Sequence, residues 1–272
     1  HAHVSPEREQ AIAAYGADIV RIAGNYDESV QEAARLAAAH GWQVIADTSY
    51  DGYEDIPRDV MQGYGAIAEE IVEQTSAQRG RAGAFTHVFL QGGVGGMAAG
   101  LASYFWEYHG TQRPCFISVE PAQADCLLQS AIEGRPAKAT GTVDSVMAGL
   151  ACGETSPLAW RFLQPCVDVF MTIEDEQAIE AMRALAQGSE RDTPIVAGES
   201  GVAGLAALEW LRSDPQRSEQ VGLTAESRVL IISTEGATAP REYTRLVGQS
   251  AEQVLQRQQA WQTAHALQTQ PA

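Results

Sequence analysis

Residues 86–100 read THVFLQGGVGGMAAG. An apolar, β-branched run gives way to four glycines and then to small residues of helical character. A strand that ends this way turns its backbone N–H groups toward one point. That point lies at a helix N-terminus, whose dipole favours negative charge. The stretch therefore reads as a backbone cradle for a phosphate. Gly93-x-Gly95-x-x-Ala98 also fits a dinucleotide fingerprint, and Glu120 ends the next strand, where a ribose-binding acid would stand. Such a fingerprint normally opens its domain, whereas here at least two strand–helix units are read ahead of it. A triphosphate loop is excluded, because no Lys-Ser/Thr follows the glycines. On this stretch alone two readings stay open: a cup for one compact phosphate, or close packing of helix on sheet through Gly and Ala.

Outward from the loop, helix and strand signals alternate, which is the pattern of an α/β fold. Ser5-Pro6-Glu7 opens a short helix, and ADIVRIA (17–23) reads as a strand. YDESVQEAARLAAAHG (26–41) reads as a helix ending at Gly41, and WQVIAD (42–47) as the next strand. RDVMQGYGAIAEEIVEQTSAQ (58–78) has helical spacing, and RGRAGAF (79–85) reads as a linker. After the glycine loop come a small-residue helix over 97–109, a strand CFISVEP (115–121) and a helix over 122–134. The strand CVDVFMTI (166–173), a helix from about 174 to 188, a helix opened by GESG (198–201) and a long strand within SRVLIISTEG (227–236) complete the pattern. Strands that are apolar without alternation predict a parallel sheet covered on both faces. Ligands of such sheets sit beyond the carboxyl ends of the strands. The candidate functional loops are therefore DTSYDGY, QGGVGGMA, VEPAQAD and STEGAT, together with the helix start GESGVAG.

Bulk properties narrow the classes. The 272 residues carry a formal net charge of −17, which argues against nucleic acid as a partner. No apolar run approaches the length of a membrane span, and HAHVSPEREQ has neither the basic nor the apolar part of a secretory signal. A cytoplasmic protein is expected. Cys115, Cys126, Cys152 and Cys166 are scattered, so neither a metal site nor a disulfide framework is expected. Lys138 is the only lysine.

The segments GWQVIADTSYDGYEDIP, MQGYGAIAEE, THVFLQGGVGGMAAG, VEPAQADC, VMAGLACGETSPLAW, AGESGVAGL and IISTEGAT run in order across about residues 4–247. With them the chain resembles the fold type II, tryptophan synthase β-like, pyridoxal-phosphate enzymes, and more closely the diaminopropionate ammonia-lyase family. MAGLACGE with GESG and STEG is the specific part of that likeness. The resemblance implies a parallel-sheet large domain, here residues 51–248, and a remnant of a smaller α/β domain, residues 1–50. Residues 249–272 read as a Gln-rich helical tail.

The resemblance also implies site roles. Gly92, Gly93, Val94, Gly95 and Gly96 would hold the phosphate of pyridoxal phosphate. Ser233 would pair with the pyridine nitrogen, Thr234 would stand beside it, and Glu199 would lie near the ring. Asp47 would contact substrate amino groups. The implied reaction is α,β-elimination of 2,3-diaminopropionate to pyruvate and ammonia by a cytoplasmic homodimer. The alternatives are a serine/threonine dehydratase-like lyase and a non-catalytic relative that still binds a phosphate ligand. The family's Schiff-base lysine belongs to a Phe-Lys motif, followed by an Asp-Gly-Asn-His segment, and neither occurs in this sequence. Lys138, in GRPAKATG, does not match it. The expectation is a chain corresponding to the C-terminal two-thirds of such a lyase, inactive alone.

Overall fold

The computed structural model describes residues 1–2, 4–79 and 85–268, and the expected linker 79–85 lies largely outside the described residues. Four parallel strands form one sheet in the order β3-β2-β1-β4: β1 (His87–Gln91), β2 (Cys115–Pro121), β3 (Val169–Ile173) and β4 (Val229–Ile231). In register His87 pairs with Cys115 on one side and Val229 on the other, so the strand that feeds the glycine loop is central.

Both faces of the sheet are covered. Val88, Leu90 and Phe116 pack under α5 (Gly96–His109) and α7 (Pro157–Cys166). Phe89, Ile117, Val119, Met171 and Ile173 pack against α8 (Asp175–Gln187), α9 (Ala203–Arg212) and α11 (Pro240–Val247). All five residues of β1 are buried, which is why it shows no alternation of apolar and polar residues. Every connection runs from the carboxyl end of a strand into a helix. The small residues of α5 let it approach closely: a Cβ at Gly100 would lie 2.4 Å from the Met61 carbonyl oxygen of α3 (Asp55–Gly63).

The first 50 residues are built differently. α1 (Pro6–Ala13) is capped by Ser5, whose side chain accepts from the Arg8 N–H. α2 (Tyr26–His40) opens on a capping box between Asn25 and Glu28 and closes on Gly41 at φ 70°. The strands expected at 17–23 and 42–47 do not form: both segments are irregular, with no strand beside them among the described residues. Val20 and Ile45 stand 63% and 70% exposed. Their β-branched sequences favour extension, but a strand also needs a neighbour to fill its ladder, and here none is described.

Other differences are local. The expected single helix over 58–78 breaks at Tyr64 into α3 and α4 (Gly65–Arg79). α6 (Cys126–Glu133) and α9 begin four to five residues later than the sequence suggests, because the chain first makes a turn ahead of each. β4 is shorter than expected, since residues 232–235 leave the sheet to line a cleft. α10 (Pro215–Gln220) and α12 (Ala251–Gln268) complete the chain, α12 in the position of the expected helical tail.

Candidate active site

Beyond the carboxyl ends of β1 and β4 the loops enclose a cleft of about 870 Å³. Its floor is the glycine loop. The Gly92 N–H still belongs to the sheet and donates to the Val119 carbonyl at 2.9 Å. Gly95 sits at φ +100° and caps α5. A Cβ on Gly95 would come within 2.7 Å of Leu163 Cδ1, and one on Gly93 within 3.1 Å of Cys152 Sγ. The packing reading holds at two of these glycines. Gly92 and Gly95 allow close packing on α6 and α7, while Gly93, Val94, Gly95 and Gly96 line the cleft. The first N–H groups of α5, which have no intrahelical acceptor, begin there.

A ring of hydrogen bonds fixes the loops around that floor. Ser156 N–H donates to the Val94 carbonyl at 3.0 Å, and Ser49 N–H donates to Ser156 Oγ at 3.1 Å. Ser49 Oγ in turn accepts from the Leu158 N–H at 2.8 Å. These bonds hold the strap that carries Asp47, whose backbone oxygen would stand 3.4 Å from a Cβ on Gly96. Asp47 Oδ1 accepts from the Tyr26 hydroxyl at 3.0 Å. Burial, reinforced by Asp47, pushes the Tyr26 phenol far above its ordinary range, so it stays a donor. The other Asp47 oxygen has no hydrogen bond among the described residues, and Asp47 lines the cleft.

The opposite wall is the STEG turn against GESG. Ser233 and Thr234 line the cleft, as do Ser200 and Glu235. Glu235 accepts from the Ser200 N–H at 2.7 Å, and Ser200 Oγ accepts from the Gly149 N–H at 2.9 Å. That last bond ties in MAGLACGE, whose Gly149 would put a Cβ 2.9 Å from Ser200 Oγ. Glu199 stands apart from the sequence expectation. It is buried but does not line the cleft, and its carboxylate lies 3.5 Å from Arg8 of α1, which also holds Glu235 at 3.1 Å. Burial raises the Glu199 pKa, and Arg8 partly offsets the shift.

Glu120, the would-be ribose ligand, is wholly buried. Its carboxylate accepts from the Leu127 and Leu128 N–H groups at 2.7 and 2.8 Å, which makes it the cap of α6. Burial pushes its pKa up to about 8, against the two N–H bonds that lower it. Lys138 lies outside the cleft. It is 75% exposed and pairs with Glu154 at 2.5 Å on the wall of a separate hollow of about 470 Å³. No lysine or arginine lines the main cleft among the described residues. None of these residues forms a metal-binding cluster, and no described helix is long and apolar enough to cross a membrane.

The sequence reading missed Tyr26, Arg8, Glu235 and Gln91. Glu235 was visible within STEG, and Gln91 as the one polar residue closing an apolar strand ahead of the glycines. Tyr26 and Arg8 left no local signal, because both act across long stretches of sequence.

Parallel sheet, glycine cup and hydroxyl-bearing wall define a cofactor-binding enzyme class. Residues 1–235 match the model of the pyridoxal-phosphate dependent enzyme family, and the chain belongs to that family, whose cofactor is pyridoxal phosphate. Its architecture is fold type II. Within the family, the chain is 40% identical over 244 residues to the diaminopropionate ammonia-lyase of Escherichia coli strain K12, which covers 89% of this chain. A crystal structure of the Escherichia coli enzyme, in complex with an aminoacrylate-PLP azomethine reaction intermediate, superposes with a TM-score of 0.81 at 39% identity, covering 89% of this chain and 62% of that one. A probable D-serine dehydratase of Pseudomonas aeruginosa is 26% identical over 263 residues, covering 89% of this chain and 55% of its own length. The chain spans 61% of the length of the Escherichia coli lyase.

The cleft fits the family's cofactor. Backbone N–H groups at the start of α5 would meet its phosphate without a charged side chain, the hydroxyls of Ser233 and Thr234 stand on the opposite wall, and Gln91, which also lines the cleft, has a buried amide oxygen with no partner among the described residues.

Proposed function

We propose that this chain is the cofactor-binding part of a pyridoxal-phosphate lyase that eliminates ammonia from 2,3-diaminopropionate, yielding pyruvate and ammonia. The observation that carries this reading is the meeting, in one cleft, of the glycine cup, the STEG hydroxyls and a carboxylate at Asp47. Bound there, pyridoxal phosphate supplies an electron sink that acidifies the substrate's Cα–H. The N–H groups over residues 93–96 hold its phosphate at the α5 N-terminus. Ser233 and Thr234 offer neutral hydroxyls to the ring nitrogen, which keeps it unprotonated and the sink mild, as β-elimination needs. Asp47 receives a substrate ammonium on its open oxygen while Tyr26 holds the other one. Glu199 acts behind the wall, through Arg8 and the STEG turn. Residues 1–50 then form the C-terminal part of a smaller domain and 51–248 the large one.

The sole lysine, exposed and paired with Glu154, leaves no amine in the cleft to anchor the cofactor covalently. The chain alone is accordingly inactive. It becomes competent when the amino-terminal segment of the Escherichia coli relative is supplied in trans, in a cytoplasmic homodimer. A dehydratase-like lyase is the second reading, favoured by the likeness to the probable D-serine dehydratase. The test has two parts. Borohydride reduction after loading should leave no pyridoxyl mass on Lys138, and the complemented assembly should turn over 2,3-diaminopropionate faster than serine or threonine. A labelled Lys138 refutes the first part, and preference for a hydroxy amino acid replaces the substrate. Ligand binding without any turnover after complementation leaves the non-catalytic relative.

A further inference from the structure

Gln91 is the last residue of β1, buried and immediately ahead of the glycine loop. Its amide nitrogen donates to the Ile232 carbonyl at 2.7 Å and to Thr234 Oγ1 at 3.0 Å. A carbonyl can only accept, so the first bond fixes which end of the amide is nitrogen. The amide oxygen of this cleft-lining residue is then left buried with no partner among the described residues. Such an atom is costly unless a ligand or water satisfies it.

The second bond has a directional consequence. The Gln91 amide nitrogen cannot accept, so the Thr234 hydroxyl cannot point its proton back along that bond. The proton is given elsewhere, and the open side of Thr234 is the cleft that it lines. Ser233 has no comparable director among the described residues, and its Oγ lies 3.1 Å from where a Cβ on Gly201 would stand, close to the GESG turn.

We propose that Gln91 is a positioning residue that fixes Thr234, rather than Ser233, as the hydrogen-bond donor to the ring nitrogen of bound pyridoxal phosphate. This rests on the cofactor reading above. It assigns the ring-end polarity to a side chain that touches the sheet, not the substrate. A carboxyl at position 91 reverses that polarity. The oxygen that replaces the amide nitrogen donates its one proton to Ile232 and accepts the Thr234 proton on its lone pair, and the Thr234 hydroxyl can then only accept from a protonated ring nitrogen.

The experiment uses the full chain with two probes, inorganic phosphate and pyridoxal phosphate labelled with ¹⁵N in the ring. Inorganic phosphate reports the glycine cup alone and also shows that each variant is folded. Gln91→Leu and Thr234→Val should each weaken pyridoxal phosphate about tenfold and leave inorganic phosphate binding as it was. In the unmodified chain the ring nitrogen should give the signal of an unprotonated pyridine. Gln91→Glu should move that signal toward the protonated position. If pyridoxal phosphate binds all variants equally and the nitrogen signal does not move, or if only Ser233→Ala moves it, the assignment of Gln91 and Thr234 is wrong while the cofactor reading stands. If the unmodified chain binds neither probe, the cofactor reading falls and takes this one with it.

Discussion

Residues 86–91 and the segments 17–23 and 42–47 carry similar apolar, β-branched sequences, yet they end at opposite extremes of burial. THVFLQ is flanked by two parallel partners and covered by helices on both faces, so all of β1 is buried. ADIVRIA and WQVIAD have the same β-branched character but no strand beside them among the described residues, and Trp42 stands 61% exposed. A strand is thus a property of its neighbours as much as of its residues, and the contrast predicts where stability resides.

The largest effect should come from the core. Phe89→Ala should lower unfolding free energy by about 3–5 kcal/mol, whereas Ile45→Ala should change it by no more than about 0.5 kcal/mol, both read by urea denaturation. If the two substitutions cost the same, residues 42–47 are packed against something and the contrast fails.

A smaller, pH-dependent effect sharpens the account beneath the glycine loop. The buried Glu120 carboxyl keeps its proton to about pH 8, against 4.5 for an ordinary glutamate. Between those values the native state binds more protons than the unfolded chain, so stability falls as pH rises and levels off above the upper one. Glu120→Gln should flatten that fall, as measured by denaturation midpoints across the window. An unchanged slope would show that Glu120 is ionised throughout.

The glycine loop was legible because its chemistry is local: four glycines between a strand and a helix admit few other backbones. The parallel sheet was legible because strands buried on both faces lack alternation. The strands at 17–23 and 42–47 were misread because propensity says nothing about a partner. The surroundings of Glu199 were not legible for a related reason. GESG places the acid on a turn beside the cleft, but its partner Arg8 lies nearly two hundred residues earlier, and it is Glu235 that lines the cleft. Gln91 escaped notice because a polar residue at a strand end looks ordinary until its amide is seen to bond two residues of the neighbouring chain segment.

The central claim is that residues 93–96 hold the phosphate of pyridoxal phosphate without help from a basic side chain. The most direct measurement is a ³¹P NMR titration of pyridoxal phosphate with the unmodified chain and with Gly93→Val, whose side chain would press on Cys152 and the Gly149 carbonyl. The account predicts a saturable change of the phosphate signal in the unmodified chain and its loss in a still-folded Gly93→Val. An equal change in both proteins would mean that the phosphate binds elsewhere and would contradict the account.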